Sequence, residues 1–126
     1  MESTELALRI ARILFDKKAT DITVLRVGHM TVITDYMVIA TGRSALQVKA
    51  LADDVDDTLA LEGASLRAKE GQGEGRWIVL DYGTVLVHIF HPEDRQFYHL
   101  ERLWEDGTNR IPLTFLEEQS EELPQT

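Results

Sequence analysis

The segment WIVLDYGTVLVHIFHP, Trp77 to Pro92, carries two runs of large apolar residues around Asp81-Tyr82-Gly83-Thr84. Two strands around a turn is the simplest reading. A strand wetted on one side alternates polar and apolar residues, and these two barely do. With Tyr82-Gly83 as a two-residue turn, Leu80 opposes Val85, Ile78 opposes Val87 and Arg76 opposes Ile89 on one face. Trp77 opposite His88, Val79 opposite Leu86 and Asp81 opposite Thr84 form the other, with Phe90 beyond. A four-residue loop keeps this register; a three-residue loop shifts it. Both faces hold several large apolar groups, so this hairpin needs cover on both sides.

The rest of the chain can supply that cover. Residues 4–18 read as a helix, with Leu6, Ile10, Ile13 and Leu14 at helical spacing and Lys17-Lys18 late, as the helix dipole prefers. Thr20-Asp21 is expected to end it. Residues 21–27 and 35–41 read as strands, the second nearly all apolar. Ser44 and Gln47 form a capping-box pattern before a helix whose stripe is Val48, Leu51, Ala52, Val55 and Leu59. Asp53, Asp54, Asp56 and Asp57 fall mostly away from that stripe, and Gly63 is its expected stop. A short strand at 65–69 and the loop Gly71-Gln72-Gly73-Glu74-Gly75 lead into the hairpin. Pro92 suits the first turn of a last helix with the buried stripe Phe97, Leu100, Leu103 and Trp104, ended by Gly107. The expected fold is α/β, a mixed five-stranded sheet flanked by helices. The helix between Thr41 and Ser65 acts as a crossover between parallel strands.

At 126 residues the chain suits one domain. No apolar run reaches membrane-spanning length, and the start, Met1-Glu2-Ser3-Thr4-Glu5, is unlike a basic signal peptide. A cytoplasmic protein with no membrane partner is expected. The absence of cysteine excludes disulfides, thiol catalysis and thiolate metal sites. Net charge is −9, from 13 Lys+Arg against 22 Asp+Glu, which disfavours broad DNA or RNA binding. It favours a basic protein partner, or serves only solubility.

Chemistry finds few anchors. His88, His91, Asp94 and His99 lie close in sequence, but strand geometry separates His88 from His91, and two converging ligands do not make a zinc site. Gly42-Arg43-Ser44, between an apolar strand and a helix, has the order of a phosphate cradle and underlies an alternative nucleotide-binding or nucleotidyltransferase-like reading. That chemistry needs paired carboxylates on an adjacent strand, and Ser65-Leu66-Arg67-Ala68-Lys69 has none. The glycine loop lacks the lysine and serine of a P-loop. No enzymatic activity, cofactor or metal is expected. Trp77, Asp81 and Tyr82 instead suggest an aromatic pair and a carboxylate at the sheet's rim, suited to protein contact, with ordinary packing as the alternative.

The stretches ITDYMVIATG (33–42), VKALADDV (48–55), WIVLDYGTVLVHIFHP (77–92) and FYHLERLW (97–104) together resemble the ribosomal silencing factor, or Iojap-like, family. The resemblance runs in unbroken order from about Leu6 to Trp104. It implies a nucleotidyltransferase-like fold without catalytic carboxylates, over residues 1–106; residues 107–126 have little family counterpart and read, from their prolines and acidic runs, as an acidic, flexible tail. It further implies a protein that binds large-subunit ribosomal protein fourteen on the large ribosomal subunit. Such a protein blocks joining of the small subunit, represses translation under nutrient limitation and can assist large-subunit biogenesis. The partner-binding residues it implies are Trp77, Tyr82 and Asp81, with Lys69 and Glu70 as neighbours of the same surface. Arg43-Ser44-Ala45-Leu46-Gln47 departs from the family's usual Thr-Ser-Ser-Arg-His. A homodimer through the apolar hairpin face is a further expectation compatible with these.

Overall fold

The computed structural model describes residues 1–116, so the acidic runs at 117–118 and 121–122 lie outside the described residues. The elements are α1 (Ser3–Asp16), β1 (Thr20–Arg26), β2 (Tyr36–Thr41), α2 (Ala45–Leu61), β3 (Ala68–Glu70), β4 (Trp77–Asp81), β5 (Val85–Phe90), α3 (Pro92–Tyr98) and α4 (Glu101–Trp104). One sheet runs in the order β1-β2-β5-β4-β3, and β2 and β5 are parallel while the other neighbours are antiparallel. The mixed five-stranded sheet expected from the sequence is therefore present. Among the described residues no helix is long and apolar enough to cross a membrane.

The first two helices stop where their backbones turn left-handed. Lys18 at φ 73° lets Ala19 N–H reach the Leu14 carbonyl at 2.9 Å, a Schellman closure that ends α1 before Thr20-Asp21. Gly63 at φ 87° does the same for α2, with Ala64 N–H on the Leu59 carbonyl. At the start of α2, Ser44 Oγ accepts from Gln47 N–H at 3.1 Å. The Gln47 side chain accepts from Arg43 N–H at 2.6 Å, one residue short of the standard box.

Period-two alternation divides the sheet's side chains between two cores. Val24, Val38, Ile78, Leu80, Val87 and Ile89 pack under α1 and α2. Leu25, Val27, Met37, Ile39 and Phe90 lie on the opposite face with Leu100. The hairpin register is Trp77 with Phe90, Ile78 with Ile89 and Leu80 with Val87. This is two residues removed from the expected pairing. The turn is Gly83-Thr84, and Tyr82 N–H donates to the Val85 carbonyl at 2.9 Å. An even slip preserves each residue's face, so the expected division of side chains holds although the pairs change.

Two further expectations are corrected. The helix after Pro92 is not continuous: His99 adopts φ 45° and separates α3 from α4. That break turns Glu101 inward to an ion pair with Arg95 and leaves Phe97 81% and Leu103 70% exposed, with only Leu100 of the expected stripe buried. The domain also does not end at residue 106. Asn109 and Ile111 hydrogen-bond along the outer edge of β1, to Arg26 and Val24. Leu113 and Phe115 then enter the core under α1, where Phe115 meets Phe15 with ring centroids 5.0 Å apart. This segment covers a strand edge that would otherwise present free backbone donors and acceptors.

Candidate functional site

The two faces of β4 differ in cover. Ile78 and Leu80 are wholly buried, while Trp77, Val79 and Asp81 are half-buried, as is Leu86 across the hairpin. Helix lengths explain the difference. The 17 residues of α2 and 14 of α1 span about 25 and 21 Å at 1.5 Å per residue, enough to cross the sheet. The seven residues of α3 reach only about 10 Å, roughly two strand spacings. The α3 side of β3, β4 and β5 is left partly open.

Trp77 stands at the covered edge of that opening. Its ring stacks on Phe90 at 4.8 Å and tilts against Tyr98 at 4.9 Å. Its indole N–H donates to His88 Nδ1 at 3.1 Å. An indole only donates, so Nδ1 must carry the lone pair and the His88 proton sits on Nε2, a buried atom without a partner among the described residues. Burial drives the His88 pKa down to about 4, so the ring stays neutral and keeps its acceptor on Trp77. Between Trp77 and the glycine loop lies a cavity of about 330 Å³ lined by Glu74, Arg76, Asp94 and Tyr98. Arg76 is held across it by Asp94 at 2.5 Å and Glu93 at 3.2 Å.

The other expected site residues separate by face. Ala68 pairs with Asp81 and Glu70 with Val79, so Glu70 and Asp81 share the Trp77 side. Glu70 is exposed. Asp81 Oδ1 accepts from Gly83 N–H at 2.7 Å and so shapes the turn. Lys69 pairs with Leu80 on the opposite side, and its ammonium meets Asp53 of α2 at 2.9 Å. Tyr82 is only 7% exposed, inside the core under α1 and α2. The expectation that it faces outward from the turn is thus corrected. The turn lies one residue later than expected, which makes Tyr82 a strand-end residue of the Ile78-Leu80 parity. Burial, and secondarily the nearby Asp56 carboxylate, raise its phenol pKa well above the ordinary tyrosine range.

Sequence reasoning missed Phe97, Tyr98 and Leu103 as surface groups, because Phe-Tyr-His-Leu contains no glycine or proline to mark a break. Part of the expected phosphate cradle is already occupied. Arg43 and Gln47 N–H groups are already bonded within the cap. Gly75 lies so close to the first turn of α2 that a Cβ there would stand 2.7 Å from the Ala45 carbonyl.

A family model described as "Ribosomal silencing factor during starvation" matches residues 1–126. The chain belongs to the ribosomal silencing factor family. A Bacillus subtilis (strain 168) protein named ribosomal silencing factor RsfS is 40% identical over 92 residues, 73% of this chain and 78% of its own length. The chloroplastic protein Iojap of Zea mays is 34% identical over 110 residues, 85% of this chain but 46% of its own length. Among solved structures, a Chromobacterium violaceum protein matches with a TM-score of 0.81 at 34% identity, covering 90% of this chain and 96% of that one. Sequence thus places this ribosomal silencing factor family member alongside bacterial and chloroplast relatives, and fold places it alongside a bacterial one.

Proposed function

We propose that this chain is a ribosome-associated regulator of translation that works by occupying space. It docks on large-subunit ribosomal protein fourteen through the open α3 side of β3, β4 and β5, and there blocks the approach of the small subunit. Translation is thereby repressed when nutrients are scarce, and a maturing large subunit can be held apart in the same way. The observation that carries this reading is the half-covered sheet face, where Trp77, Val79 and Leu86 meet solvent beside the exposed Phe97 and Tyr98. Aromatic side chains in such a setting are the usual energetic centre of a protein interface. Net charge of −9 supports a basic partner, whose encounter it accelerates.

Within this proposal Trp77 is the anchor, and Asp81 and Glu70 sit on the same face as polar neighbours. Tyr82 and Lys69 act from behind, by fixing the turn end of the sheet on α2. No step needs a reacting group. The complex has only to persist against subunit joining, so affinity and position are the whole mechanism.

Co-sedimentation with purified large subunits tests the reading. The parent protein is expected to travel with free large subunits and not with joined ribosomes. The double variant Phe97→Ala/Tyr98→Ala removes exposed rings without opening the core and is expected to weaken binding by more than about tenfold. Trp77→Ala is expected to do the same, although it also strips packing from Phe90. Binding by the double variant as tight as the parent's would show that the surface lies elsewhere.

A further inference from the structure

Resting on the docking role proposed above for Trp77, we infer that His88 is the positioning residue of that surface: it selects one orientation of the indole and holds it ready for the partner. Trp77 and His88 are diagonal neighbours on one face of the hairpin, since Trp77 pairs with Phe90 and Val79 with His88. The indole N–H donates to His88 Nδ1 at 3.1 Å, and the two ring centroids are 6.0 Å apart.

Packing alone does not choose the orientation. The indole stacks on Phe90 with an interplanar angle of 28° and tilts at 45° against Tyr98. Stacking fixes the plane of an aromatic ring but tolerates a flip of that ring, and the χ2 angle of tryptophan is broad and roughly two-fold. A hydrogen bond is directional, and an indole has a single N–H. The acceptor on His88 therefore distinguishes the two flipped forms, which would turn opposite edges of the ring to the surface.

Stability does not account for a histidine at this position. Its neighbours across the sheet are Ile39 and Val79, and the cluster on that face is built from Met37, Ile39 and Phe90 among others. A leucine here would add apolar contact with no polar atom to satisfy. His88 is instead 7% exposed, with Nε2 buried and without a partner among the described residues. An unpaired buried donor forfeits its hydration outright, whereas a completed hydrogen bond returns only its advantage over a bond to water. The imidazole is thus a net cost to the fold, and what it supplies is the acceptor for Trp77. A ring already fixed in its bound orientation loses less freedom on docking, which tightens the complex. Because its N–H is spent inside the protein, Trp77 offers the partner only ring carbons.

A double-mutant cycle between His88→Leu and Trp77→Phe tests this coupling, with binding to purified large subunits as the readout. His88→Leu is expected to weaken binding about three- to tenfold, the range set by freeing one large side chain. Its stability in urea at pH 7 should be no lower than the parent's, because the unpaired donor is gone. The Trp77 indole N–H resonance should move upfield and exchange faster with water. Trp77→Phe has no N–H to hold, so adding His88→Leu to it is expected to change binding by less than about twofold. Parent-like binding by His88→Leu, a loss of its stability, or a double variant in which the two losses multiply would each overturn the proposal. In those cases Trp77→Ala and Phe97→Ala/Tyr98→Ala still fail to bind, and the docking surface stands without a positioning role for His88. Parent-like binding by both of these variants overturns the docking surface and the positioning role together.

Discussion

Tyr82→Phe removes one oxygen from the core and leaves the ring in place. The hydroxyl is buried among α1 and α2 residues and has no hydrogen-bond partner among the described residues. An unpaired buried polar group costs about 1–3 kcal/mol against the same group in water. Replacing it with hydrogen should therefore stabilise the protein by about 1 kcal/mol, near the lower bound, because the nearby Asp56 offers partial compensation. For a domain of this size that is a rise in Tm of about 3–5 °C.

The pH dependence gives a second check. The phenol's folded pKa is raised above its unfolded value, so burial of the neutral form favours folding below about pH 10 and that contribution is lost at higher pH. The parent should lose stability above pH 10 faster than Tyr82→Phe does. Urea denaturation at pH 7 and at pH 10.5 measures both effects, and sedimentation with large subunits should show unchanged binding. A clear loss of stability in Tyr82→Phe at pH 7 would refute the reasoning, because it would mean that Asp56 holds the hydroxyl. Loss of subunit binding with the fold intact would return Tyr82 to the docking surface.

Other outcomes follow from the same geometry. His88 has a folded pKa of about 4 against an ordinary 6.5, so the unfolded chain binds a proton first as pH falls through this window. Stability present above pH 6.5 should decline by about 3 kcal/mol on reaching pH 4, and His88→Gln should lack that component in a denaturation series. Phe115→Ala should cost about 3 kcal/mol or more by calorimetry, as for any large core truncation. A negligible effect would mean that the C-terminal segment does not belong to the core.

Much of the fold was legible because its signals are local. The stripe of α2, the Ser44 cap and the apolar β2 all follow from spacing and capping chemistry within a few residues of one another. The break at His99 was not legible. Nothing in the local sequence asks a histidine to turn left-handed, and what rewards it is the distant meeting of Arg95 with Glu101, Thr41 and Thr23. The packed segment from Asn109 to Phe115 was similarly hidden, because its value depends on an uncovered β1 edge that only the sheet order creates.

The chain's own residues determined that the hairpin must be sheltered on two sides, and which side chains lie on each. Side-chain direction in a strand has a period of two, so even a misplaced turn left that partition intact. Only the tertiary structure decided how complete each shelter is. Two long helices close one face, while a seven-residue helix broken from a four-residue one leaves Trp77, Val79 and Leu86 in reach of solvent. Cover depends on the length and placement of elements far apart in sequence, and periodicity carries no information about either.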